Sequence, residues 1–369
     1  MRGKATLWAL LFLVGCASGP PLRVGTSGDY APFSKGGEGF DVEVAQRFAA
    51  ELGRPVEWVP FRWPELGERA AHGDFDVAMS GVTWRADRDV HGWLSLAVGQ
   101  GGPCWIGAAE PATLAVNRGG VLESFARSQF PKAKVRAVDD NESLPGLLAA
   151  KQVDAIVTDS FELAHFLRAG DPAQCEAKTQ RKVYWVTPAH AVELGPALDA
   201  FLERREPELR QLRAKWFGAP QPRAAADDVI DLAARRLELM DFVGGWKRAH
   251  HLPVEDRAQE TRVLDAVEAK ARALGLEPAG VRRLFELQIA LAKRIQTGTA
   301  RSDSPLELEG ELRPALARLS DRQLEALHRA APISEAALGP EALAPLAAVL
   351  EPRELSELRA ALLAIAPAR

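Results

Sequence analysis

The sequence predicts a multidomain protein with an α/β half followed by an all-helical half. Two observations carry this expectation. From about residue 22 to 217, short apolar or alternating runs bounded by turn residues alternate with helical stretches. Beyond residue 217 no strand signal survives, and apolar residues recur at helical spacing. At 369 residues the chain is long enough for two or three domains, each with a core. Composition is that of a globular protein, 47% hydrophobic and 26% charged, with a net charge of −4. No Lys/Arg-rich run occurs, which argues against nucleic acid as a partner, so any anion site must be local.

Taken in chain order, MRGKATLWALLFLVGC opens with Arg2 and Lys4, then an apolar run too short to span a bilayer. This is the pattern of an export signal. Its end, Leu13-Val14-Gly15-Cys16, resembles the bacterial lipoprotein lipobox. That resemblance implies a lipidated Cys16, with the membrane as a partner only through the lipid. An ordinary cleaved signal is the alternative, and both export the protein. Strands are expected at LRVGTS (22–27), VEWVPF (56–61), FDVAMSG (75–81), KVRAV (134–138) and DAIVTD (154–159). Helices such as 42–53 and 144–152 lie between them, a pattern that implies a parallel sheet. Export permits a disulfide between Cys104 and Cys175 without requiring one. GAPQPRAAADD (218–228) reads as a linker running into a helix start. The expected division is 1–16 signal, 17–219 α/β domain and 220–369 helical domain.

Four to six helices are expected in the second half, with breaks at Leu252-Pro253, Gly275, 297–305, 319–321 and 331–334. Ser320 and Gln323 fit a capping box. His250-His251 reads as a helix end, since the pair lacks metal-ligand spacing, and no metal or cofactor is expected. At 100° per residue, Leu232, Arg236, Leu239, Met240, Val243, Trp246 and Lys247 share one apolar arc. Two cations aimed at a core are costly unless an anion meets them. Arg236 and Lys247 lie about 16–17 Å apart along the helix and can bracket a small ligand. Gly244-Gly245 suggests close approach of another group. Asp256, Gln259, Glu260, Gln296 and Arg313 are further polar residues of this half. Arginine forks suit carboxylates, and a lysine with a neutral amide suits a developing oxyanion. Taken singly, each charge also fits a surface salt bridge.

The run from Ala234 through Gln296, followed by LRPALARLS, resembles secreted all-helical chorismate mutases over about residues 227–330. The resemblance implies that Arg236 and Arg313 hold substrate carboxylates. It implies that Lys247 and Gln296 donate to the ether oxygen of the breaking bond. Glu260, with the backbone at Asp256, is implied to meet the ring hydroxyl. Gln259 stands where the family has an arginine, a departure that Arg262 or Arg257 could offset.

The first half resembles periplasmic amino-acid-binding proteins in GDYAPFS, GFDVEVAQRFAAELG, GDFDVAMSGVTWRADR and DAIVTD. By that resemblance Arg88 grips a ligand carboxylate and Asp159 an ammonium. SGDYAPF, VEWVPFRW, SFARSQFPKAKV and VTDSFE resemble cyclohexadienyl dehydratase more narrowly, implying Glu162 as proton donor. Without the resemblance Glu162 reads as a surface helical residue. Two departures stand out: apolar Val121 and Leu122 in NRGGVLESF, and a short Ile106–Asn117 link that implies a trimmed second lobe.

Together these resemblances imply an exported enzyme running chorismate to prephenate to phenylpyruvate, or to phenylalanine from arogenate. The alternatives are a mutase whose first half only binds a ligand, and a non-enzymatic solute-binding lipoprotein. Oligomeric state is left open.

Overall fold

The computed structural model describes residues 19–176, 180–218 and 223–368, so the signal and Cys16 lie outside the described residues. The first half forms two lobes, each around a five-stranded sheet. In the first lobe the strand order is Val56–Pro60, Leu22–Thr26, Val77–Ala78, Trp185–Val186, Trp93–Leu94. In the second it is Lys134–Val138, Thr113–Asn117, Ala155–Asp159, Pro103–Gly107, Ala173–Cys175.

The expected parallel pairing holds for the first three strands of each sheet. The sheets are nonetheless mixed, because Trp185–Val186 and Pro103–Gly107 run antiparallel to their neighbours. Both enter their sheets directly from the hinge, so neither needs the helical crossover that parallel pairing demands. The hinge is an antiparallel pair, Gly99–Gly101 with Gln180–Lys182. Despite the short 108–112 link, the second lobe keeps as many strands as the first. Cys104 and Cys175, opposite each other on neighbouring strands, form a disulfide. Such a bond persists in an oxidising compartment, consistent with export.

Among the described residues the second half has seven helices, more than expected. They are α1 (Ala225–Glu238), α2 (Met240–Ala249), α3 (Arg257–Ala273), α4 (Pro278–Gly298), α5 (Arg313–Ala330), α6 (Pro340–Ala347) and α7 (Pro352–Leu363). The helix anticipated as one piece from Leu232 to Lys247 is interrupted at Leu239. The break expected at 319–321 does not occur. Buried Leu319, Leu324 and Leu327 carry the helical period through it, and the Ser320 hydroxyl donates to the Leu316 carbonyl inside α5. The tail packs on the bundle, α6 against α1 and α7 against α4.

One apolar core runs from the first lobe into the bundle, joining Leu22, Phe48 and Leu198 to Leu232, Leu319 and Leu327. The second lobe has separate cores. Charged side chains fill the junction between first lobe and bundle. Arg181 of the hinge pairs with Asp231 and with Glu238, the latter at 2.9 Å. Arg322 pairs with Asp199 at 2.8 Å and lies over the Trp93 ring. Arg235, fully buried, pairs with Asp231 and donates to the carbonyls of Leu94 and Ser95.

Candidate active sites

The first site is a cavity inside the helical bundle. Every residue anticipated from the sequence in this half lines it: Arg236, Lys247, Asp256, Gln259, Glu260, Gln296 and Arg313. The interruption at Leu239 does not separate Arg236 from Lys247. Among the described residues the walls hold four cations, Arg236, Lys247, Lys293 and Arg313, against two carboxylates, Asp256 and Glu260.

Each cation has an identifiable support. Arg236, 9% exposed, donates to the side-chain amide oxygen of Gln288 and stacks over the Phe285 ring. Burial pulls its pKa down to about 10, so it stays charged at neutral pH. Its Nε, with Gln288 Nε2 and Gln296 Oε1, is buried without a hydrogen-bond partner among the described residues. Unsatisfied buried polar atoms around one cavity mark a place for a polar ligand. Lys247 donates to the Val254 carbonyl at 2.7 Å, and burial lowers its pKa, offset in part by Asp256. Arg313 follows a five-residue π turn, Leu308–Leu312, and meets Asp256 at 2.9 Å. Such turns frequently sit at functional sites.

Asp256 caps α3 by accepting from the Gln259 N–H at 3.0 Å. That bond, then Arg313, holds its carboxyl below the usual carboxylate range. The glycine pair is explained by packing. A Cβ on Gly244 would meet the Gln296 backbone at 2.7–2.8 Å, and one on Gly245 the Asp303 carbonyl at 2.5 Å. The close approach is therefore of other segments of the chain. Gln288, Lys293 and Ser320 also line the cavity and were not anticipated. The stripe Gln288–Ala292–Gln296, at i, i+4 and i+8, could have revealed the first of them.

The second site is the cleft between the lobes, where Arg88, Asp159 and Glu162 converge. The anticipated surface alternative for Glu162 does not hold, because it is 1% exposed. It accepts from Asn141 Nδ2 at 2.6 Å and from the Thr158 hydroxyl at 2.8 Å. Burial, and then the neighbouring Asp159, raise its pKa well above the ordinary 4.5. Arg88 donates to the Thr83 carbonyl and has no carboxylate partner among the described residues. Burial lowers its pKa to about 10.

Asp159 meets a cation supplied by the chain itself, Lys182 at 2.8 Å, and accepts from the Tyr30 hydroxyl. Lys182 also donates to Tyr30 at 2.6 Å and to Thr83 at 3.0 Å. It was not anticipated, although the charged pair in QRKVYWV inside an otherwise apolar run was the available signal. Gly120, Val121 and Leu122 line the cleft where a helix, Val121–Gln129, begins. Asn117 Nδ2 beside them is buried without a hydrogen-bond partner among the described residues.

Two lobes joined by a paired hinge, with charged and polar groups converging between them, define a solute-binding architecture. The family model for bacterial extracellular solute-binding proteins, family 3, matches residues 22–219, more than half the chain, and the protein belongs to that family. The model for chorismate mutase type II matches residues 224–297. The chain is 30% identical over 228 residues to the cyclohexadienyl dehydratase of Pseudomonas aeruginosa, covering 55% of this chain and 85% of that protein. It is 43% identical over 65 residues to the secreted chorismate mutase of Yersinia pestis, covering 18% of this chain and 35% of that protein. A solved ancestral amino acid-binding protein, a precursor of cyclohexadienyl dehydratase, is 27% identical, with a TM-score of 0.49 over 53% of this chain and 95% of that one.

Proposed function

We propose that the chain is an exported bifunctional enzyme, isomerising chorismate to prephenate in the bundle and converting prephenate to phenylpyruvate in the cleft. The observation that carries the mutase half is the convergence of Arg236, Lys247, Asp256, Gln259, Glu260, Gln296 and Arg313 on one cavity with an excess of two cations, suited to a small dianion. The working division is 17–219 for the dehydratase and 220–369 for the mutase.

In the bundle the reaction is a unimolecular rearrangement, in which one C–O bond breaks as one C–C bond forms. It requires a compact conformation of the dianion and stabilisation of charge on the ether oxygen. Arg236 and Arg313 hold carboxylates. Lys247 and the Gln296 amide, which among the described residues meets only the Met240 sulfur at 3.4 Å, donate to the ether oxygen. Glu260 and the backbone at Asp256 receive the ring hydroxyl. None of these steps needs a covalent intermediate or a cofactor.

In the cleft Glu162 is the proton donor. Kept protonated by its surroundings, it protonates the ring hydroxyl, which leaves as water while the ring carboxylate leaves as CO2 and the ring becomes aromatic. Arg88 holds a substrate carboxylate. Because Asp159 is already paired with Lys182, the cleft favours prephenate over the ammonium-bearing arogenate. A lipidated Cys16 would tether both sites to a membrane.

Incubating the full chain with chorismate and separating the products tests the proposal, with phenylpyruvate the expected result. Lys247→Ala should cut chorismate turnover by about 10²–10³-fold and spare prephenate turnover. Glu162→Gln should do the reverse. Chorismate left untouched would overturn the proposal. One observation favours a second reading, a mutase with a ligand-binding first half, because apolar Val121 and Leu122 face the cleft. Accumulating prephenate would establish that reading instead.

A further inference from the structure

The neutral Gln259 leaves the cavity without a cation at that position. Its N–H caps α3 by donating to Asp256, and its side-chain carbonyl accepts two bonds from Arg262, at 2.7 and 3.1 Å. Arg262 is thus engaged with Gln259 and is not among the residues of the wall. Arg257 points away, its side chain 85% exposed and paired with Glu255. Neither neighbouring arginine replaces the missing charge.

A cation from another helix does reach the wall. Lys293 of α4 is one residue from Ala292 and three from Gln296, both in the cavity lining. Its Nζ lies 3.0 Å from Glu260 Oε2, and both side chains are partly exposed, 33% and 24%. The other Glu260 oxygen has a long contact, 3.4 Å, with the Asp256 N–H. Lys293 and Arg313 both repel Lys247, so the cations surround a common space.

We propose that Lys293 binds a carboxylate of the dianionic substrate, supplying from α4 the charge that Gln259 does not supply from α3. On binding, its ammonium exchanges the Glu260 carboxylate for the substrate's, and Glu260 turns to the substrate hydroxyl. A lysine suits this exchange, being a compact charge on a flexible four-carbon stem. The Gln259 amide, its carbonyl held by Arg262, presents its N–H2 group as an uncharged donor beside it. This inference rests on the mutase reading of the cavity.

The test is steady-state chorismate kinetics on the full chain and on the Lys293→Gln, Lys293→Arg and Lys293→Gln/Gln259→Arg variants. Lys293→Gln should raise KM by about 10- to 100-fold with a smaller change in kcat, the loss of one charge-assisted contact. Lys293→Arg should stay within about threefold of the original KM, and Gln259→Arg should recover most of the Lys293→Gln loss. Circular dichroism of each variant confirms folding. A Lys293→Gln chain with unchanged KM, or a loss that Gln259→Arg leaves in place, overturns the assignment. If the unsubstituted chain leaves chorismate untouched, the mutase reading itself fails and the assignment with it.

Discussion

At the scale of single residues, the two sites use burial in opposite ways. Arg236 and Lys247 have pKa values lowered by burial, and Arg236, at about 10, remains a cation at neutral pH. Glu162 has its pKa raised by burial and by Asp159, which favours the protonated carboxyl. The pH profiles of the two activities should therefore differ. Phenylpyruvate formation from prephenate should fall as pH rises through the Glu162 pKa, because the acid form is the active one. Chorismate turnover should instead fall on the alkaline side as Lys247, its pKa lowered by burial from the ordinary 10.5, loses its proton. Initial rates for each substrate across pH check this. A dehydratase rate that rises with pH in that window would exclude Glu162 as the donor.

At the scale of elements, α2 and α4 touch at a glycine. A Cβ on Gly244 would lie 2.7 Å from the Gln296 carbonyl and 2.8 Å from its Cα, and neither backbone atom can move like a side-chain tip. Gly244→Ala should destabilise the chain by about 1–3 kcal/mol as overpacking. It should also lower chorismate turnover by displacing Gln296, while prephenate turnover is spared. Thermal unfolding and the two rates measure this. The cavity in the bundle was legible in the sequence because helical periodicity put Arg236 and Lys247 on one arc and a resemblance linked them to Glu260, Gln296 and Arg313. Lys293 was not legible, because one lysine on a long amphipathic helix looks like a solvated charge until α3 is seen beside it. The mixed sheets were missed for a similar reason. Strand runs report their own period, whereas the antiparallel Pro103–Gly107 and Trp185–Val186 owe their direction to the hinge. Lys182 was hidden by its neighbour: side chains along a strand alternate, so Lys182 enters the cleft while Arg181 enters the bundle junction.

At the scale of the whole molecule, that alternation ties the halves together. The hinge strand of the cleft is ion-paired to α1, the helix that carries Arg236 into the other site. Separating bundle from lobe would break the Arg181–Asp231, Arg181–Glu238 and Arg322–Asp199 pairs and open the apolar core the two share. The full chain should thus lose first lobe and bundle in one cooperative transition. Two buried carboxyls, Asp41 in the first lobe and Asp228 in α1, give that transition a pH dependence. Burial raises each to about 7 from an ordinary 3.8. The folded state therefore holds protons that the unfolded chain has released, and this stabilisation is lost as pH rises through about 7. Asp228 lies 3.8 Å from Arg329, which also reaches Glu203 of the first lobe at 2.6 Å, so the loss falls partly on the junction. Calorimetry should show a lower Tm near pH 8 than near pH 5.5, with roughly 1–2 kcal/mol per carboxyl between them. Asp228→Asn should reduce that difference, because its amide does not titrate. A Tm that stays level or rises over the same interval would show that neither carboxyl is protonated in the folded protein.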